Sequence, residues 1–459
     1  MARRLHHASR LARRFVLTAA VVMGGALGMG CAGHESRVDT ALDALDRAAF
    51  PEAIGALNAE LEVKSERELP RALAGDNALL TLDRGSILMA MGDFKLSARD
   101  LGAADKAIEV IDLSGQAAGE LGKYLFSDSV GPYKAPAYEK LMINTMNLVN
   151  YLALGDLSGA RVEARRLAVI QKFIQERGEE SALLGLGSYL AGFAFEKSGQ
   201  SSEALAYYDD ALKYAQYPSL REPLRVLTGG ASRTPGIDAL VGDAGPLPPV
   251  AETGEGEVVV VIGFGRVPRK EPRRIPIGLA LTLVSSSVAV DRSAANELAA
   301  KGLVTWINYP VLRPGRGGYD APSLTIDGRA RAMEEALDVE ALVRRAWEKS
   351  EGVVIGAAIT RMIARVVAGE AVQRTTEALA KDTGPLGLLL GLATSAGLSA
   401  ADRPDTRSWT TLPARIAVAR LRLPAGQHVM RLGARGMERE ARVNLAPGGW
   451  AVVAMTAPR

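Results

Sequence analysis

The chain has 459 residues, 48% hydrophobic and 23% charged, with a formal net charge of +3. This is enough apolar material for about two or three buried cores, while a single cysteine excludes a disulfide framework. The near balance of charge excludes a globally basic nucleic-acid binder, because phosphate affinity needs an excess of Lys and Arg.

At the start, Arg3, Arg4, Arg10, Arg13 and Arg14 precede an uncharged stretch from Phe15 to Gly30. Basic, then apolar, then small residues is the order of a secretory signal, and the apolar part is shorter than the roughly 20 residues a membrane span needs. It ends in Leu27-Gly28-Met29-Gly30-Cys31, which resembles a lipobox with Gly28 where Leu is usual. Cys31 is also the only cysteine. Arg13-Arg14-Phe15 resembles a twin-arginine signal only faintly, so general secretion is expected. Residues 1–30 are therefore expected to be a removed signal peptide, and residues 31–36 a lipidated cysteine with a short spacer. Without residues 1–30 the chain carries 50 basic against 52 acidic side chains. Ala32, not Asp, follows the cysteine, which resembles lipoproteins forwarded to the outer membrane; the expected place is the periplasmic face of that membrane.

Residues 37–227 are rich in Ala, Leu, Glu, Lys and Arg, with apolar residues returning every three to four positions, the period of helix. Three Gly turns recur, at Gly92-Asp93, Gly155-Asp156 and Gly199-Gln200. Aligned on them, Gly85, Leu148 and Gly192 come seven residues before, and Ser97, Ala160 and Ala204 five after. Leu101, Ala164 and Tyr208 follow at nine, and Ala104, Leu167 and Ala211 at twelve. Small residues where helices cross, with a knob between them, resemble the tetratricopeptide repeat. Gly92, Ala160, Gly192, Ala204 and Ala211 are the candidate packing positions. The glycines stand 63 and 44 residues apart, so the expectation is a degenerate array that folds alone, with an irregular bundle as the alternative.

Residues 228–256 crowd Gly, Pro, Asp and Ser and are expected to be a linker. Residues 257–407 are expected to be a mixed α/β domain with Gly-rich apolar helices. Strands are expected over Glu257 to Phe264, Ile275 to Val284, Leu303 to Leu312 and Ser323 to Ile326, and helices over Ala330 to Lys349 and Val353 to Ala380. Gly384 to Ala401 holds no charge, consistent with a buried hairpin or with membrane contact. Residues 408–459, with Arg420 and Arg422 alternating against Leu421 and Leu423 and a Pro424-Ala425-Gly426 turn, are expected to form a small antiparallel β module similar to the PEGA type. The fold class expected is thus multidomain α+β, an all-α array followed by these two units.

Three groups of residues carry a wider resemblance. They are Pro132-Tyr133-Lys134 with Tyr138-Glu139-Lys140, Asn150 to Asp156 with Ala160 to Arg165, and Asp405-Thr406-Arg407-Ser408-Trp409 with Leu412-Pro413. With these motifs the chain resembles a family of uncharacterised bacterial lipoproteins with a tetratricopeptide-like N-terminal half. The resemblance implies no defined activity; some members are encoded beside lipoprotein activators of peptidoglycan synthases.

Candidates for chemistry are few. With the signal gone, histidine is left only at His34 and His428, too few for His metal clusters or Ser-His and Cys-His nucleophile pairs. Gly263-Phe264-Gly265 fails as a dinucleotide fingerprint, because Pro268 takes the third Gly position. Acid pairs such as Glu179-Glu180 and Glu334-Glu335 read as solvated faces. Arg266, Arg269, Lys270, Arg273 and Arg274, broken by prolines, form the densest basic run and the candidate anion- or partner-facing loop. The expectation is a membrane-anchored envelope scaffold for protein-protein interaction, not an enzyme, with no cofactor and no metal. Its partners would be the membrane and other envelope proteins, with cell-wall synthesis machinery among the candidates. The alternatives are a glycan- or peptidoglycan-acting enzyme using paired carboxylates, and a membrane-inserting component.

Overall fold

The computed structural model describes residues 33–110, 133–176, 183–229, 233–284, 290–301, 306–313, 315, 320–383 and 404–459. Residues 1–30, expected to be a signal peptide, Cys31 and the apolar run Gly384 to Ala401 lie outside the described residues.

The first half is helical, as its period predicts. It contains α1 (His34–Asp46), α2 (Phe50–Glu60), α3 (Asn77–Met91), α4 (Phe94–Ala107), α5 (Ala137–Ala153), α6 (Leu157–Gln175), α7 (Leu183–Lys197) and α8 (Ser201–Tyr214). Helix α1 begins at His34, inside residues 31–36, expected to be a spacer. The three Gly turns join α3 to α4, α5 to α6 and α7 to α8. Gly92, Gly155 and Gly199 there have φ of 84°, 71° and 75°, a left-handed conformation that glycine adopts without a Cβ clash. In the first two turns the next residue caps the following helix. Asp93 accepts from the Leu96 amide at 3.0 Å and Asp156 from the Gly159 amide at 2.9 Å, supplying partners for amides the helix leaves open.

Within each hairpin the first helix is buried along most of its length, and the second is amphipathic. Gly192 lies against the Tyr208 ring so closely that a Cβ would come within 2.6 Å of it. Ala160, Ala204 and Ala211 are fully buried. Gly92 is a turn residue and not a packing one.

The helical half ends in a short helix, α9 (Arg221–Thr228), which buries Leu224, and the span expected as a linker, residues 228–256, folds in part into another, α10 (Pro235–Val241), which buries Ile237 and Val241. Helices this short show too few periods to be read from apolar spacing. Between α4 and α5 a short parallel pair, β1 (Glu109–Val110) with β2 (Lys134–Ala135), interrupts the helices, and the main β part opens with β3 (Glu255–Phe264) and β4 (Lys270–Pro276). Ile275 to Val284 is not a strand, since β4 stops at Pro276 and α11 (Ile277–Leu283) follows, burying Ile277, Ala280 and Leu281. A short apolar run fits either state by pattern alone. Next come α12 (Arg292–Ala300), β5 (Trp306–Leu312), β6 (Ser323–Ile326), β7 (Arg329–Arg331) and β8 (Glu334–Asp338). The helix expected from Ala330 starts only at Val339, because β8 pairs with a later strand and that pairing overrides the helix propensity of its Glu-Glu-Ala-Leu. Helix α13 (Val339–Thr383) is then continuous.

The C-terminal strands β9 (Arg415–Pro424), β10 (Gly426–Ala434), β11 (Met437–Leu445) and β12 (Trp450–Ala457) do not make a separate antiparallel module. One sheet has the order β12-β3-β9-β8, with β12 parallel and β9 antiparallel to β3. The other has the order β11-β10-β6-β7. Strand β3 is therefore wedged between the first and last strands of the tail, a long-range pairing that local turn signals do not encode.

These sheets and the helices form three layers. Val258, Val260 and Ile262 point to the second sheet, while Val259 and Val261 point to the helices. Burial on both faces explains the unbroken apolar run of β3. The largest core joins both halves, running from Ala78 and Leu79 through Leu141, Tyr189 and Tyr208 to Trp409, Val418 and Ala454. The helical part does not close on itself, since the side of the hairpins expected to face a partner is covered by the chain's own β12-β3-β9-β8 sheet and by Trp409. A smaller core holds the β4-β5 ribbon against α11, α12 and α13.

Candidate functional site

The three groups of motif residues converge in part on one place. Residues 405–414 run as an extended strap between the helices and the sheet, fixed by polar side chains on α3 and α5. Trp409, fully buried, donates its amide to Glu139 Oε1 at 3.1 Å and its indole N–H to Ser86 at 3.1 Å. Asp83 Oδ1 accepts from the Thr410 hydroxyl at 3.0 Å and from the Thr411 amide and hydroxyl at 3.0 and 2.8 Å. The other oxygen of Glu139 accepts from Tyr133 at 2.6 Å. Arg407 pairs with Asp405 at 2.7 Å and lies over the Tyr133 ring at 5.7 Å. Glu35 of α1 bonds Thr406, so the strap also ties down the start of the described chain.

Asp83 and Ser86 were not among the sequence candidates. Their signal was polar residues inside the otherwise apolar run Ala78 to Met91. Arg84 in the same run is fully buried, bonding Asp100 at 2.7 Å and Asn58 at 2.9 Å.

Beside the strap lies a pocket of about 70 Å³, whose wall includes Tyr138, Trp347, Trp409 and Val354 with Glu139, Lys270 and Ser408. Burial pushes the Glu139 carboxyl above its ordinary range, and hydrogen bonds from Tyr133 and Trp409 pull the other way. Lys270 bonds the Arg407 carbonyl at 3.2 Å and sits 5.9 Å from the Trp347 ring centroid. Ligand sites commonly occupy about 300–1,000 Å³; this one has room for a single side chain.

Val267 and Pro268 separate it from a second pocket of about 150 Å³, lined by Arg266, Arg269, Arg313, Arg435 and Arg459 with Asp43 and Asp46. The basic run expected to face outward as one loop is thus divided. Arg266 pairs with Asp46, and Arg269 with Asp39 at 2.6 Å, clamping this segment onto α1. Lys270 turns to the first pocket, and Arg273 and Arg274 are exposed on β4. The loop before β4 packs on α1 while β4 itself faces away from it, which splits a cluster that looked uniform in one dimension.

An open depression of about 900 Å³ holds Asp46, Asp320 and Glu438 beside Arg435 and Arg459. No group of His, Cys, Asp and Glu able to hold a metal occurs among the described residues.

Burial drives Asp83 from its ordinary 3.8 to about 7, against the Thr411 and Thr410 hydrogen bonds that favour its charge. Burial likewise lowers His34, 3.9 Å away, to about 3. A carboxyl whose folded pKa is raised holds an extra proton in the folded state. Its contribution to stability is therefore full below about pH 4 and lost as pH rises to about 7. Asp83→Asn removes that loss. The variant should gain stability relative to the parent in urea melts between about pH 5 and about pH 8, and a difference independent of pH would contradict this assignment.

No family model, curated protein or solved structure matches the chain.

Proposed function

We propose that the chain is a lipid-anchored envelope lipoprotein that acts as a non-enzymatic protein-protein scaffold close to a bilayer, in cell-wall or envelope assembly. The observation that carries the reading is where the folded body begins. Gly33 precedes α1, and His34, three positions after Cys31, is already buried. Three residues reach at most about 11 Å, so acyl chains on Cys31 would hold the body against the membrane.

The three hairpins are read here as a degenerate tetratricopeptide-like array. With its inner side covered by the chain's own sheet, partners would meet the outer helices α4, α6 and α8 and the small pocket between Trp347 and Tyr138. A buried aromatic pocket with few polar groups suits one anchoring side chain of a partner. Partners in cell-wall synthesis rest on the lipoprotein-family resemblance alone.

Paired-acid hydrolysis has less support. Asp83 and Glu139 are bound to the strap, and in the open depression Asp46 is paired with Arg266 while Asp320 and Glu438 are exposed. A general acid ordinarily needs a shielded setting to stay protonated at neutral pH. Among the described residues no helix is long and apolar enough to cross a membrane, so membrane attachment is assigned to the lipid.

Cys31→Ser with metabolic fatty-acid labelling and membrane fractionation tests this reading. The parent should incorporate label and float with the outer membrane, and the variant should do neither. One chain alone holds only marginally, whereas several acyl chains attach lastingly. An unlabelled parent whose variant stays in the outer membrane would overturn it.

A further inference from the structure

The β4-β5 ribbon and α11 carry a cluster of exposed apolar side chains that the scaffold reading does not use. In the antiparallel register Pro276 faces Trp306, Arg274 faces Asn308 and Pro272 faces Pro310, which places these six on one face of the ribbon. Ile275, Ile307 and Tyr309 take the other face and are buried. Trp306 is 48% exposed. Leu279 and Leu283 of α11, one turn apart and directly after Pro276, are 49% and 45% exposed. Arg274 is exposed on this face, and its Nε donates to Asn308 at 3.2 Å, which holds its guanidinium beside Trp306; Arg273, paired with Tyr309, belongs to the opposite face. Two leucines, an indole and a guanidinium grouped on a small satellite core are costly to leave in water, and monomers rarely group such residues without a surface to meet.

We infer that this patch, Trp306, Leu279 and Leu283 flanked by Arg274, is a membrane-contact surface for an anionic bilayer. The charge of Arg274 beside the indole selects that occupant. An indole sits at the headgroup level with its ring toward the acyl chains, leucines on one turn of helix enter below it, and an arginine beside them meets a lipid phosphate. The patch deepens the anchored-scaffold reading by giving the body a second hold on the bilayer, yet it is testable without the lipid.

The experiment uses the chain from Ala32 onward, without signal or acyl groups, in flotation with phosphatidylglycerol vesicles and with phosphatidylcholine vesicles as the neutral control. The parent should float with phosphatidylglycerol in low salt and be released by high salt. Trp306→Ser with Leu279→Ser should weaken binding about tenfold. Arg274→Ser should weaken it about fivefold, whereas Arg273→Ser, on the opposite face of the ribbon, should leave it nearly unchanged. All four positions are exposed, so circular dichroism should be unchanged. Independently of these variants, lipids brominated in the acyl chain should quench the parent's tryptophan emission, and Trp306→Phe should abolish that quenching. No binding by the parent, or binding that survives both the Trp306-Leu279 variant and Arg274→Ser and falls only when residues 384–401 are removed, would overturn the inference. So would a lipid-free dimer that dissociates on Trp306→Ser. Because the protein tested has no Cys31, failure here leaves the anchor to be judged by the labelling experiment.

Discussion

Replacing Arg420 with Met should destabilise the folded chain by about 3–5 kcal/mol, the range for removing one partner of a buried ion pair. Arg420 projects from β9 toward the helices with its side chain 2% exposed. Its Nε donates to Glu257 on β3 at 2.6 Å, one Nη to both oxygens of Glu196 on α7 at 2.8 Å, and the other Nη to the Tyr208 hydroxyl at 2.8 Å. Tyr208 in turn donates to Glu196 at 2.6 Å, and Lys197 bonds both carboxylates. The guanidinium also lies over the Phe193 ring at 5.0 Å. Removing the arginine leaves two buried carboxylates with Lys197 as the remaining cation, and the fault falls on the seam between helices and sheet. Urea denaturation followed by far-ultraviolet circular dichroism measures the loss. A loss below about 1 kcal/mol, the size typical of an exposed pair, would show that the seam is not held this way.

The same cluster sets an acid limb. Burial pushes Glu257 up, but the charges of Arg420 and Lys197 outweigh it and leave the group at about 2; Glu196 is lowered for the same reasons. A carboxylate depressed in the folded state contributes stability above its ordinary value of 4.5, and that contribution is lost as pH falls through about 2. The parent should therefore weaken between about pH 5 and about pH 2, and Arg420→Met should show a flatter profile over that window.

Trp409→Ala should be of similar size, about 3–5 kcal/mol, the range for truncating a fully buried aromatic side chain. The ring fills space between α3, α5 and the sheet, and its N–H satisfies Ser86. Because the strap carries Asp405, Arg407 and Ser408 into the small pocket and toward α1, the damage should not stay local. Limited proteolysis should open residues 404–414 and the start of α1 together, while Trp409→Phe, which keeps most of the volume and loses one hydrogen bond, should retain much of the stability. An alanine variant with parental stability and parental protease resistance would show that the strap is a surface feature.

How much of this was legible beforehand depends on the range of the interaction. Local signals determined the hairpins: a glycine able to take φ of 71–84°, in the first two turns an Asp able to cap the next helix, and small residues at the helix crossings are contained within a few residues. They were enough to fix α3 with α4, α5 with α6 and α7 with α8. The same locality made the composition of β3 readable as a strand.

Only the tertiary structure decided what those elements bury. Arg420 looked like the solvated side of an alternating strand, because alternation says which residues share a face and not what covers it. The five basic residues from Arg266 to Arg274 looked like one surface, until α1 took up Arg266 and Arg269 and left Arg273 and Arg274 outside. The parallel pairing of β12 with β3, about two hundred residues apart, leaves no turn in the sequence to announce it. Motif residues at 133–139 and 405–413 could be seen to belong together only when Trp409 was found donating to Glu139, since nothing in linear spacing encodes a contact across 270 residues. The sequence by itself determined periods, turns and caps, all governed by neighbours along the chain; the sharing of one core by both halves was decided by long-range burial.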